Sequence, residues 1–285
     1  MTTNQPITHV SDTALWVAMY RALESDRPDA LFKDPLARRL AGELGESILD
    51  GIPKARAMAW PMIVRTALLD ELVMRSVTEG GFDTVVNLAA GLDTRPYRLP
   101  IPSSVRWIEV DLPDMVEYKR ARLGDEKPVC ALEVISADLA NPADRDAVLE
   151  RLGGGTVLVI TEGLLVYLDP SDVEKLATAL HAHSPIKEWI LDLGSPRLLK
   201  MLEKTWGPTL RAGNAPFRFA PGEGTAFFVP MGWKELEFRP LFEESVRLNR
   251  SMRFAKFWLW LGRFSPQKRR EEFRRLSGVV RLGRA

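Results

Sequence analysis

Cysteine is almost missing from this chain. Its single Cys130 can form no disulfide within the chain, which excludes a disulfide-stapled secreted scaffold and fits a reducing compartment. Histidine is scarce, with three copies, and no His/Cys/Asp/Glu group has metal-ligand spacing, so no metal site is expected. Long apolar runs are missing too. Val157–Ile160 and Gly163–Leu168 fall far short of the roughly 20 residues that span a bilayer. Residues 1–15 lack a basic start followed by an apolar run, so no secretory leader is expected. A charge excess of one sign is also lacking: the net charge of +1 gives no global field for nucleic acid or an acidic partner. No G-x-S-x-G elbow and no GxxxxGK[ST] loop occurs. These absences predict a cytoplasmic globular protein with no nucleic-acid partner and no membrane span.

The charge balance hides an asymmetry. From Arg250 onward there are eleven Lys or Arg and two Glu, which leaves that stretch at +9 and the rest at −8. The 285 residues, 46% of them hydrophobic, suffice for one large domain with a cap. Apolar residues recur at helical spacing in Thr13–Ala22, Asp34–Leu44 and 56–77 (Met58, Met62, Leu69, Leu72, Val73), with Gly80–Gly81 as the stop. The period then shortens. Thr84–Ala89, Val105–Val110, Leu132–Ala137, Thr156–Thr161 and Trp189–Leu193 read as strands, separated by helical Pro113–Leu123, Ala143–Leu152 and Ser171–His181. Such alternation predicts an α/β fold, a doubly wound Rossmann-like parallel sheet with helices on both faces. The division expected is an N-terminal helical cap (1–80), a catalytic domain (81–250) and a basic, aromatic-containing C-terminal segment (251–285) packed on or extending it. Glycines and Pro230 around 222–232 suggest an antiparallel hairpin near the end of the domain.

Ligands of open α/β sheets sit beyond the carboxyl ends of the strands, where strand order reverses. The residues at those ends are Gly91, Asp111, Asp138 and Glu162. Three of the four are acidic, a poor cradle for phosphate, and the first turn has one glycine where a dinucleotide loop wants three. S-adenosylmethionine fits better, because it has no phosphate and carries a sulfonium and an ammonium. Asp111, twenty residues after Gly91, can accept hydrogen bonds from both ribose hydroxyls, and Asp138 from the adenine amino group. Glu162 can offset the positive charge, and Arg65 can fork onto the carboxylate of the ligand.

Four stretches carry a family resemblance: Asn87–Leu99 (NLAAGLDTRPYRL), Glu109–Pro113 (EVDLP), Ala137–Leu139 (ADL) and Thr161–Leu168 (TEGLLVYL). In this order they resemble the motifs of the leucine carboxyl methyltransferase family, which also includes bacterial polyketide and mycobacterial-type O-methyltransferases. The resemblance runs from about Ala14 to Trp233. It implies a class I methyltransferase fold with S-adenosylmethionine as cofactor and S-adenosylhomocysteine as product. It also implies that Arg65 holds the methionine carboxylate, that Gly91 with neighbouring Ala89 underlies the cofactor, and that Asp111 with Leu112 meets the ribose. Asp138 and Leu139 then border the adenine, and Glu162 closes on the cofactor. Ala89 and Ala90 depart from the glycine-richer loops of other methyltransferases but match this family.

Each residue also has a plainer reading. Gly91 can be a turn glycine, Asp111 a cap for the helix at Pro113, Asp138 a turn acid, Glu162 a solvated acid and Arg65 a surface charge. Four such residues at four successive strand ends favour the site. Trp16, Tyr20 and Tyr167 are candidates for the acceptor pocket, although aromatics at helical spacing also build cores. His181 and His183 read as helix-end residues favoured by the dipole, and His9 as a tail residue. The C-terminal aromatics Phe257, Trp258, Trp260 and Phe264 are expected to pack on the sheet with their charges solvated. A membrane or acidic partner is the alternative reading. No catalytic base is identifiable. That favours a carboxylate acceptor, ionised at neutral pH, over a phenol. The expected activity is O-methylation of a small molecule, such as a secondary metabolite. A phenolic O-methyltransferase, a non-catalytic nucleotide-binding protein and a nicotinamide-dependent oxidoreductase remain alternatives.

Overall fold

The computed structural model describes residues 11–52, 54–212 and 215–285, so His9 lies outside the described residues. Three helices, α1 (Asp12–Ser25), α2 (Ala37–Gly51) and α3 (Trp60–Thr78), precede β1 (Thr84–Leu88). Then come α4 (Arg95–Arg98), β2 (Arg106–Asp111), α5 (Pro113–Leu123), β3 (Ala131–Ser136), α6 (Pro142–Glu150) and β4 (Val157–Thr161). They are followed by α7 (Pro170–Ala182), β5 (Ile186–Gly194), α8 (Pro196–Ala212), β6 (Trp233–Pro240) and α9 (Leu241–Arg247). The chain ends with α10 (Ala255–Gly262), α11 (Gln267–Arg274) and β7 (Ser277–Arg284).

The sheet has seven strands in the order β3-β2-β1-β4-β5-β7-β6. β1 to β5 are parallel, and β7 runs antiparallel between β5 and β6. Val86 sits in register between Ile108 and Val159, so the apolar runs of β1, β2 and β4 align at the centre. Both faces are covered, which explains why these strands read as continuous apolar runs. On one face Val86, Leu88, Ile108 and Val159 pack with Val148 of α6 and Val173, Leu176 and Leu180 of α7. On the other, Val85, Trp107, Leu158 and Ile160 pack with Val64, Leu68, Leu72 and Val73 of α3. Each such side chain, fully removed from water, contributes about 1.5–3 kcal/mol.

Several expectations need correcting. α3 is a layer on the sheet rather than part of a cap, because its apolar stripe is buried against β1, β2 and β4. α1 and α2 form most of the roof, burying Leu15, Met19, Leu40 and Ile48 with Ile63 at the start of α3, Leu92 after β1 and Met115 of α5, while Trp206 of α8 packs against it. The expected hairpin does not form. Gly224–Met231 is a 3-10 helix, and β6 pairs with β7 from the far end of the chain. The segment after residue 250 extends the sheet, since β7 takes a place in it between β5 and β6. The C-terminal aromatics do not pack on the sheet either: Phe257, Trp258, Trp260 and Phe264 are all more than half exposed. α7 does end near His181, but that ring packs edge-on against Trp233. Burial, with Arg284 nearby, lowers its proton affinity, the opposite of what a helix dipole alone would do.

Candidate active site

Strand order reverses between β1 and β4, and a cleft of 1560 Å³ opens beyond their carboxyl ends. Drug-sized ligand pockets are typically about 300–1,000 Å³, so this one has room for a cofactor and an acceptor together. Every residue singled out from sequence lines it: Arg65, Ala89, Gly91, Asp111, Leu112, Asp138, Leu139 and Glu162, with Trp16, Tyr20 and Tyr167.

The turn after β1 is tight. Ala89 and Gly91 both have left-handed backbone, with φ of 54° and 51°, a conformation glycine adopts freely and alanine at a cost. That turn presents the Gly91 N–H to the Asp111 carboxylate, which also accepts from Leu112 N–H at 2.7 Å. Asp111 has no cation paired to it among the described residues, and burial pushes its pKa up. It is therefore no helix cap but a half-buried acceptor with lone pairs to spare. Asn87, beneath the same turn, donates to Asp93 at 2.7 Å, while its buried Oδ1 lacks a partner among the described residues. Asp138 is exposed and accepts from Ala140 N–H at 2.9 Å, so it closes its own turn at the rim of the cleft.

Arg65 and Glu162 belong to an ion network that sequence reading missed. Arg65 Nε meets Glu162 at 3.1 Å, and its Nη1 meets Asp192 at the end of β5 at 3.2 Å. Glu162 is also held by Arg95 at 2.8 Å, and Arg95 further engages Asp70 of α3 at 2.8 Å and Asp93 at 2.6 Å. Arg98 pairs with Asp70 at 2.6 Å and lies 3.9 Å from Asp34, which Arg21 of α1 holds at 2.8 Å. Four arginines and five carboxylates thus join α1, the turn after β1, α3 and the ends of β4 and β5, leaving one net negative charge. Gly163, at φ 67°, lets the backbone pass close to Arg65, whose Nη1 would lie 3.3 Å from a side-chain Cβ there. The signal for Arg95 and Arg98 was present in the quoted Asp93-Thr94-Arg95-Pro96-Tyr97-Arg98 stretch, but their partners are distant in sequence.

The network has a titration consequence. Burial alone would raise Asp93, but Arg95 and Lys119 outweigh it and hold it down to about 2. Glu162 is likewise lowered, burial being overcome by Arg95 and Arg65. A depressed carboxylate stabilises the fold fully above its unfolded pKa, and that contribution is lost as pH falls through the folded one. Thermal unfolding at a series of pH values is therefore expected to show stability dropping between about pH 4 and 2. A flat profile in that window would contradict the pairing of Asp93.

The donor set suits S-adenosylmethionine. Asp111 and Asn87 offer free acceptors, the network is net anionic around a cationic ligand, and Arg65 supplies a cation within it. The lining of the cleft also carries apolar side chains, Trp16, Trp60, Met62, Tyr167, Leu198 and Trp206 among them. Tyr20 is buried there and donates to Ala55 O at 2.9 Å, so its hydroxyl is already engaged.

Comparison with known proteins agrees with this geometry. The leucine carboxyl methyltransferase family model matches residues 14–181. A Streptomyces coelicolor protein bearing the name of an S-adenosyl-L-methionine-dependent methyltransferase, SCO7813, is 37% identical over 84% of this chain and 88% of its own length. A similarly named protein of Parafrankia is 37% identical over 59% of this chain and 58% of its own. Among solved structures, a DUF574 family protein of Streptomyces avermitilis superposes with a TM-score of 0.63, covering 99% of both chains at 13% identity. A Thermobifida fusca methyltransferase-type structure gives a TM-score of 0.58 at 15% identity, covering 99% of this chain and 96% of its own. These two share the fold. By sequence, this chain belongs to the leucine carboxyl methyltransferase family of S-adenosylmethionine-dependent methyltransferases.

Proposed function

We propose that the protein methylates a carboxylate oxygen of a small acceptor with an apolar body, giving a methyl ester. The observation that carries this reading is the polar content of the cleft's apolar lining. Trp60 and Trp206 line the cleft, and their indole N–H groups are buried with no hydrogen-bond partner among the described residues. An indole N–H only donates, so these groups suit an acceptor rich in oxygen lone pairs. Arg197 of α8 also lines the cleft, without a carboxylate partner among the described residues, and suits an anion.

S-adenosylmethionine, when bound, supplies an electrophilic methyl group. In this reading Arg65 holds the amino-acid carboxylate of the cofactor, and Gly91 and Ala89 shape the turn beneath it. Asp111, beside Leu112, receives the ribose hydroxyls; Asp138 and Leu139 border the adenine. Glu162 offsets positive charge while keeping Arg65 and Arg95 in place. Trp16 and Tyr167 form the floor that positions the acceptor, Tyr167 packing against Phe217 at 5.8 Å. Placement of two reacting groups in one dry cleft supplies much of the rate.

The acid–base balance also favours a carboxylate. Glu162 is held ionised by two arginines, which makes it a weak proton acceptor. An ionised carboxylic acid needs no proton removed, whereas a phenol does. The test is to supply methyl-labelled S-adenosylmethionine with panels of carboxylic acids and phenols, then treat the products with base. Label released as methanol is expected, with a rate that is nearly flat between about pH 7 and 9. Label that survives base would identify an ether and a phenolic acceptor instead.

A further inference from the structure

α10 has two apolar faces. Trp258, Leu259 and Gly262 line the cleft. Phe257, Trp260, Leu261 and Phe264 do not, and they recur at three, four and seven, the spacing of a single stripe along a helix and its immediate extension. These four side chains are 52, 51, 44 and 73% exposed. Their rings pack on one another rather than on the core: Phe257 stacks with Trp260 at 6.0 Å, and Trp260 meets Phe264 edge-on at 5.3 Å. A contiguous exposed patch of this kind marks a surface that something covers.

The charges say what covers it. Residues 253–270 carry six cations, Arg253, Lys256, Arg263, Lys268, Arg269 and Arg270, and no carboxylate. None of the six is ion-paired among the described residues, whereas the neighbouring Arg274 and Arg275 are paired with Glu243 and Glu235. Lys256, just before Phe257, borders the aromatic stripe and Lys268 follows it, both away from the cleft, whereas Arg263, Arg269 and Arg270 reach its rim. A second copy of the chain placed symmetrically on this face would set cations against cations. An aromatic stripe flanked by Lys and Arg instead matches an interfacial helix, its rings among lipid headgroups and its cations on anionic lipid. No helix among the described residues is long and apolar enough to cross a membrane, so the attachment is peripheral.

We infer that α10 and Phe264 form a docking surface for an anionic membrane, with the rings inserting at the interface and the flanking cations binding acidic headgroups. The experiment is flotation of the full chain with vesicles of phosphatidylcholine plus phosphatidylglycerol, compared with phosphatidylcholine alone. Two variants accompany it, Trp260→Ser with Phe264→Ser, and Lys256→Gln with Lys268→Gln; none of these residues lines the cleft.

Binding to the anionic vesicles, not to the neutral ones, and weakened by added salt is expected. The lysine pair should lower partitioning roughly 25-fold, since each cation near such a surface is worth about fivefold. The aromatic pair should abolish it. S-adenosylhomocysteine affinity, measured on the same samples, should be unchanged in both variants, which separates this inference from the cofactor site. Failure to float with anionic vesicles, or equal binding to neutral ones, would overturn it. So would a concentration-dependent dimer that the aromatic pair abolishes, which would assign the face to a second copy. Capture by an acidic protein without any vesicle binding would likewise overturn it.

Discussion

Replacing Asp111 by alanine is expected to weaken S-adenosylhomocysteine binding roughly 100-fold, because hydrogen bonds to a charged group are worth about 1.5–3 kcal/mol each. The residue ends β2, faces the cleft and, among the described residues, its carboxylate has the Gly91 and Leu112 N–H groups as partners. Two ribose hydroxyls would therefore lose their shared acceptor. The fold should survive. The two backbone donors lie beside the open cleft and can turn to water, and a carboxylate whose pKa burial has raised is relieved of that burial. Calorimetric titration with S-adenosylhomocysteine, alongside a melting curve, checks both halves. Asp111→Asn should recover part of the affinity, since an amide oxygen still accepts. Unchanged affinity in Asp111→Ala would remove Asp111 from the cofactor site.

Arg95→Met is expected to be the most destabilising single change near the site, at about 3–5 kcal/mol, the usual cost of removing one partner from a buried ion pair. Arg95 is almost fully buried, and its departure strands Asp70, Asp93 and Glu162. Arg98 remains on Asp70 and Arg65 on Glu162, which leaves Asp93 as the most exposed to the loss. For a chain of this size the melting temperature should fall by about 10 °C. The drop in stability between about pH 4 and 2 should flatten as well, because Asp93 no longer has a low folded pKa to lose. Melting curves of Arg95→Met and wild type at acid and neutral pH decide it. Equal melting temperatures at neutral pH would mean that the network is not what holds the turn after β1 to α3 and β4.

The parts of this molecule legible in its sequence are those fixed by local pattern. Short apolar runs gave the five parallel strands, most cleanly the central β1, β2 and β4, because strands buried on both faces need apolar residues at nearly every position. Residues at the ends of those runs converge on one cleft for a topological reason: all five strands point the same way, so Gly91, Asp111, Asp138 and Glu162 emerge at the same edge of the sheet. Long-range pairing was not legible. β7 takes its place only by bonding to β5 and β6, and nothing in Ser277–Arg284 alone specifies those neighbours. Arg95 reads as an ordinary charge until the fold sets Asp70, 25 residues before it, and Glu162, 67 residues after it, around its guanidinium. The same holds for Asp192 beside Arg65. The exposed aromatics of α10 were misread because an apolar stripe at helical spacing looks the same whether it faces a core or a bilayer.

The most direct test of the account is a crystal structure of the protein with S-adenosylhomocysteine. The ribose hydroxyls are predicted on Asp111 and the amino-acid carboxylate on Arg65, with the apolar remainder of the cleft left open for the acceptor. A nucleoside bound elsewhere, or an Arg65 engaged only by Glu162 and Asp192 while the ligand carboxylate finds another cation, would contradict it.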